Sequence, residues 1–138
     1  MLKLGTARHK EVLDGIDNLS NIGCFGLSEL GYGNNAVEME TTATYDAATD
    51  EFVVNTPSVK AQKYWITNGA IHANHMVVFA QLYTGEVNNG IHGVLVRIRD
   101  DEGNTMPGFS SGQHSVFQIH FPVIYPNVSL FSKVRSFQ

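Results

Sequence analysis

Apolar positions recur at two different spacings along this chain, and the change of spacing divides it. Near the N-terminus Val12, Leu13, Ile16 and Leu19 follow a helical period after Thr6, a residue suited to capping. Gly15 falls within that helix and lowers its intrinsic propensity. From Gly23 onward the pattern is that of strands. Thr41 to Tyr45 is β-branched and aromatic, Asp46 to Asp50 reads as a turn, and Phe52-Val53-Val54 reads as the return strand, closed by Thr56-Pro57. Lys63 to Ile66 predicts a strand ending in the Asn68-Gly69 turn. Met76 to Tyr83 is a continuous apolar run, and Gly85 to Gly90 reads as loop. Ile91 to Arg99 alternates, with Val94, Val96 and Ile98 on one side and Leu95, Arg97 and Arg99 on the other. Asp100 to Asn104 is a surface turn. Phe117, Ile119 and Phe121 alternate in the tail, where Pro122 and Pro126 interrupt and Ser110-Ser111-Gly112 precedes.

Short strands separated by turn signals predict a mainly β domain, either a small β-barrel or two packed antiparallel sheets, with a short N-terminal helix. The length of 138 residues suits one domain. A net charge of −4 with no basic run argues against a nucleic-acid surface. The single cysteine, Cys24, cannot form an internal disulfide. No apolar run reaches the length of a membrane-spanning helix, and neither a signal peptide nor a C-terminal Ser-Lys-Leu-like address is expected.

Two segments carry candidate chemistry. Gly26-Leu27-Ser28-Glu29-Leu30-Gly31 places a hydroxyl and a carboxylate beside a glycine-rich turn. Ser28 can serve a ligand, or it can end a strand bonded to its own backbone. In the second segment Trp65 offers a wide π surface and Thr67 a hydroxyl; on a strand both would leave one face. The plainer alternative is a core Trp beside a strand-forming Thr. Gly31-Tyr32-Gly33-Asn34-Asn35-Ala36 fits a dinucleotide-binding pattern formally, but a hairpin follows where a crossover helix and parallel strand would be required. His72 and His75 make two potential metal ligands without a third, so no metal site is expected. Cys24 reads as a small apolar residue and Glu29 as a structural hydrogen-bonding group.

Taken together, these segments resemble the middle β-domain of the acyl-CoA oxidase and acyl-CoA dehydrogenase superfamily, from about Leu4 to Gly108. Gly23 to Asn34 is similar to the oxidase pattern G-C-F-x-x-T-E-L-G-x-G-S-N. Thr41 to Asp46 is similar to T-T-A-T-Y/F-D, and Glu51 to Pro57 to E-F-x-x-N-T/S-P. Lys63 to Gly69 resembles K-x-W-I-T-N-G, common in the dehydrogenases, and Gly90 to Asp100 resembles the oxidase segment G-x-H-x-F-x-V-x-I-R-D. The Thr-Thr-Ala-Thr and Ile-Arg-Asp elements favour the oxidase branch.

The resemblance implies FAD as cofactor, with Phe25, Leu27, Ser28, Gly33, Asn34, Trp65 and Thr67 contacting it and Asn34 also near acyl-CoA. Ser28 stands where the family has Thr, which keeps the hydroxyl; Asn34 stands where it usually has Ser, which alters the reach. The implied reaction is α,β-desaturation of a fatty acyl-CoA in β-oxidation, with electrons passing to O2 to give H2O2. The dehydrogenase branch, which passes electrons to a partner flavoprotein, and a non-catalytic β-barrel binding module are the alternatives. Residues 1–22 would then be a helical lead-in, 23–108 the β-domain and 109–138 a divergent tail. The family's catalytic Glu belongs to a C-terminal helical domain outside these residues, so no catalytic residue is assigned. The expectation is a partial, inactive product that binds FAD weakly. Homo-oligomers and a peroxisomal location also follow from the resemblance, with mitochondrial or cytoplasmic placement as the alternative.

Overall fold

The computed structural model describes residues 6–112, 116–119, 123–125 and 129–130. Leu4, Phe121, Pro122, Pro126 and the terminal Ser136-Phe137-Gln138, on which parts of the sequence reading rest, lie outside the described residues.

Thr6 precedes a 3-10 turn, Ala7–His9, that runs into helix α1, Lys10–Asp17. The helix stops short of Leu19, which is exposed and has φ 63°. Polar groups end it: Asn21 Nδ2 donates to the Val12 carbonyl at 3.2 Å and Ser20 Oγ to the Gly15 carbonyl at 3.2 Å.

The strands are β1 (Gly23–Gly26), β2 (Thr42–Asp46), β3 (Glu51–Asn55), β4 (His75–Thr84) and β5 (Val87–Arg97). They continue as β6 (Phe109–Gly112), β7 (Val116–Ile119), β8 (Val123–Tyr125) and β9 (Ser129–Leu130). The main sheet runs β8-β3-β2-β4-β5-β9, with β1 also on β4; β6 and β7 form a second, two-stranded sheet. A mainly β fold with one short helix is as expected, but the main sheet is not closed into a barrel. Its pairing path among the described residues ends at β8 and at β9.

Nor is that sheet wholly antiparallel, because β1 and β2 both run parallel to β4. They lie end to end on one edge of it: Gly23–Gly26 pair with His75–Val78, and Thr42–Tyr45 pair with Gln81–Thr84. β5 occupies the other edge, antiparallel, from His75↔Arg97 to Thr84↔Val87. The loop expected over Gly85–Gly90 is shorter, since Gly85 at φ +58° lets a tight turn close and β5 begin at Val87.

Alternation explains the core. Met76, Val78, Ala80 and Leu82 of β4 are buried with Val94 and Val96 of β5, Ala43 of β2 and Val54 of β3. Cys24 packs against this cluster, while Phe25 points the other way and sets its ring 4.5 Å from that of Phe79. The sheet therefore has a sealed face and, around Phe25, an open one.

Candidate functional site

Because β1 and β2 share an edge of β4, the chain between them must leave that edge and return to it. Leu27 to Thr41 make this excursion. The loop folds on itself where the Glu29 N–H bonds the Gly33 carbonyl at 3.0 Å and the Gly33 N–H returns to the Glu29 carbonyl at 2.7 Å. Gly33 takes φ +58° there, a conformation that favours glycine.

The same loop is sewn to the second candidate segment. The Leu30 N–H donates to the Gln62 carbonyl at 2.9 Å, the Gly31 N–H to Lys60 at 2.9 Å, and the Tyr64 N–H to Ser28 at 3.0 Å. Gly31 permits this approach, since a Cβ there would lie 2.6 Å from Lys60 Cβ. The two sequence motifs thus meet, with Ser28 bonded to the residue next to Trp65.

Under this seam lies a buried ion pair. Lys63 Nζ is 2.9 Å from Glu29 Oε1, with side chains 2% and 1% exposed. Lys63 also donates to the Leu27 carbonyl at 3.2 Å. Glu29 accepts from the Glu40 N–H at 2.9 Å, the Thr41 N–H at 3.0 Å and the Thr41 hydroxyl. Burial pulls the Lys63 ammonium down to about 8, against the attraction of Glu29. The structural role expected for Glu29 is thereby given partners; Lys63 was not anticipated.

The predicted strand over Lys63–Ile66 does not form. Lys63 makes a single bridge to Glu29, and Trp65 adopts φ +59°, which breaks strand alternation. Trp65 is 83% exposed rather than a core residue, Ile66 is buried, and Thr67 is exposed. The turn beyond is held from beneath by Arg99. Its guanidinium, 4% exposed, donates to the carbonyls of Gly69 (2.8 Å), Ala73 (2.7 Å) and Ala70 (2.6 Å) and to Ser111 Oγ (3.1 Å). Alternation put Arg99 on the side of Arg97; the chain leaves β5 at Arg97, and the freed side chain turns inward.

Around the seam, Ser28 Oγ donates to Asn34 Oδ1, Leu27 is half-buried, and Phe25 is 59% exposed. The dinucleotide-like Gly31–Ala36 stretch lies in this loop, and among the described residues a 3-10 turn, Ala36–Glu38, and then β2 follow it where a crossover helix would be required. Burial pushes the Cys24 thiol up to about 12 despite nearby Arg99, and so disfavours the thiolate. His72 sits on an exposed turn, and His75 opens β4 with its pKa lowered by burial and by Arg97. Among the described residues no group of three or more His, Cys, Asp or Glu is placed to hold a metal ion.

Known proteins share this chain's sequence and fold. The family described as acyl-CoA dehydrogenase, middle domain, matches residues 24–117. Acyl-coenzyme A oxidase 3, peroxisomal, of Arabidopsis thaliana is 46% identical over 104 residues, covering 75% of this chain and 15% of that protein. Human peroxisomal acyl-coenzyme A oxidase 3 is 40% identical over 110 residues, covering 78% of this chain and 16% of the relative. The crystal structure of acyl-CoA oxidase-1 of Caenorhabditis elegans complexed with FAD and ATP superposes with a TM-score of 0.87 at 29% identity. It covers 94% of this chain and 22% of that one. The chain thus spans about 15% of the length of the plant relatives it matches. With a family match over more than half its residues and a sheet that superposes on a solved oxidase, the chain belongs to the acyl-CoA oxidase and dehydrogenase superfamily, of which it carries the middle domain.

Proposed function

We propose that this chain is the FAD- and acyl-CoA-binding β-domain of an acyl-CoA oxidase acting in peroxisomal fatty acid β-oxidation, with residues 23–108 as the domain proper. The seam carries the reading: the Tyr64 N–H to Ser28 carbonyl bond, 3.0 Å, gathers an exposed indole and a hydroxyl-bearing loop at one locus. The residues present fit a flat, hydrogen-bonding ring. Trp65 and Phe25 offer apolar surface that is otherwise costly to leave in water. Thr67 offers a hydroxyl donor, Ser28 a hydroxyl oxygen whose proton goes to Asn34, Asn34 its amide N–H groups, and Gly33 a backbone without a side chain in the way. When bound, FAD supplies the hydride acceptor for α,β-desaturation of a fatty acyl-CoA. The chain's part is to hold and orient. The hydroxyls would steady the ring, the aromatic groups would exclude water from it, and Asn34 would serve both cofactor and acyl-CoA. The oxidase branch is preferred to the dehydrogenase branch because the curated relatives cited above are named oxidases.

Titrating FAD into the purified chain tests this. Trp65 is the only tryptophan, so its emission reports directly. Saturable quenching is expected, weakened at least tenfold by Trp65→Ala as judged from the flavin's own fluorescence. Absence of any saturable change in the parent chain would leave the alternative of a β-domain that has lost its cofactor. Where the fully assembled protein is available, H2O2 release with acyl-CoA under air separates oxidase from dehydrogenase.

A further inference from the structure

Glu29 and Lys63 play no part in the contacts just described, yet they are among the most buried side chains of the molecule. Removing two charges from water is expensive, and such a pair is often no more stabilising than apolar groups of the same volume. Stability alone therefore does not account for it. Its connections do. Lys63 reaches Leu27 and Glu29, on either side of Ser28. Glu29 receives Glu40 and Thr41, the last residues of the same loop before β2. The Thr41 hydroxyl also lies 3.3 Å from the Ala61 carbonyl, in the opposing segment. One carboxylate and one ammonium thus hold both feet of the loop and the segment that ends in Trp65.

We propose that Glu29 and Lys63 are positioning residues that fix the Ser28 loop against the Tyr64–Trp65 segment, so that a single buried ion pair sets the spacing of the two halves of the flavin site. This rests on the flavin reading for its functional half only; the placement of the two segments stands on the geometry. An apolar pair fills the same space but has no directional demand, and it leaves the Leu27 carbonyl and the Glu40 and Thr41 N–H groups without their partners.

Amide hydrogen exchange on the full chain, with FAD titration alongside, tests the proposal. In the similarly sized apolar double variant Glu29→Leu/Lys63→Met, cooperative unfolding is expected to persist. The seam amides of Leu30, Gly31 and Tyr64 should exchange at least tenfold faster, while those of Val78 and Val94 keep their protection. FAD affinity should fall at least tenfold in parallel. Unchanged seam protection in the folded double variant overturns the proposal, and an opened seam with unchanged affinity overturns its link to the flavin site. If the double variant does not fold, Thr41→Val removes one donor to Glu29 and should give the same pattern at two- to fivefold; seam exchange at the parent rate then decides against it. Should the parent chain bind no FAD, the flavin reading fails, and the exchange result still settles whether the pair positions the seam.

Discussion

Trp65 combines two unfavourable circumstances. A large aromatic side chain stands 83% exposed, and its backbone sits at φ +59°, where a non-glycine residue costs about 1–2 kcal/mol. Nothing in the core recovers that cost. Trp65→Gly relieves the strain, partly offset by glycine's greater freedom in the unfolded chain. It should raise unfolding free energy by up to about 1 kcal/mol while lowering FAD affinity at least tenfold. Urea denaturation and flavin titration of one variant check both halves; a variant that is less stable than the parent contradicts the strain argument. The chemistry of this residue was legible in sequence and its conformation was not. Lys63-Tyr64-Trp65-Ile66 has strand-like composition, and only the contact with Ser28, distant along the chain, explains the left-handed turn. Lys63 was illegible for a related reason: a lysine is by default a surface residue, and its partner is set by the loop path.

At the level of elements, the strands that were plain in sequence are those with strong alternation or long apolar runs, β2, β3, β4 and β5. The parallel pairing of β1 and β2 with β4 was not, since parallel partners are chosen by the connection between them and not by their own pattern. The turn after Trp65 is a further case. Among the described residues it has no sheet partner, and it hangs on Arg99, which satisfies three of its carbonyls. Lysine cannot reproduce that planar fork. Arg99→Lys should therefore destabilise the domain by about 2–4 kcal/mol, through unpaired buried carbonyls. Exchange of the Ala73 amide, bonded to the Asn68 carbonyl at 3.0 Å, should rise with it. A urea midpoint equal to the parent's would show that the turn holds itself.

Across the whole molecule, buried Lys63 and half-buried Cys24 make stability depend on alkaline pH with opposite signs. Lys63 is depressed from 10.5 to about 8, so the unfolded chain binds the extra proton. The penalty for burying its charge is full below pH 8 and is relieved as pH rises toward 10.5. Cys24 is raised from 9.0 to about 12, so its contribution is whole below 9 and lost as pH climbs beyond. Tyr32 and Tyr45, raised chiefly by hydrogen bonds to Glu40 and Asp50, act in the same sense as Cys24 above pH 10. The urea midpoint should rise between pH 8 and 9, by up to about 1 kcal/mol in free energy, then flatten. Cys24→Ala should extend the rise beyond pH 9; a midpoint that falls from pH 8 in that variant contradicts the burial of Lys63. A different consequence follows from β1 and β2 sharing one edge of β4. Gly26 pairs with Val78 and Thr42 with Gln81, so the points where the excursion departs and lands are three rungs apart, about 10 Å, whatever lies between. β4 acts as a ruler. Whatever path the chain takes between them, its two anchorages stay where that one strand has marked them.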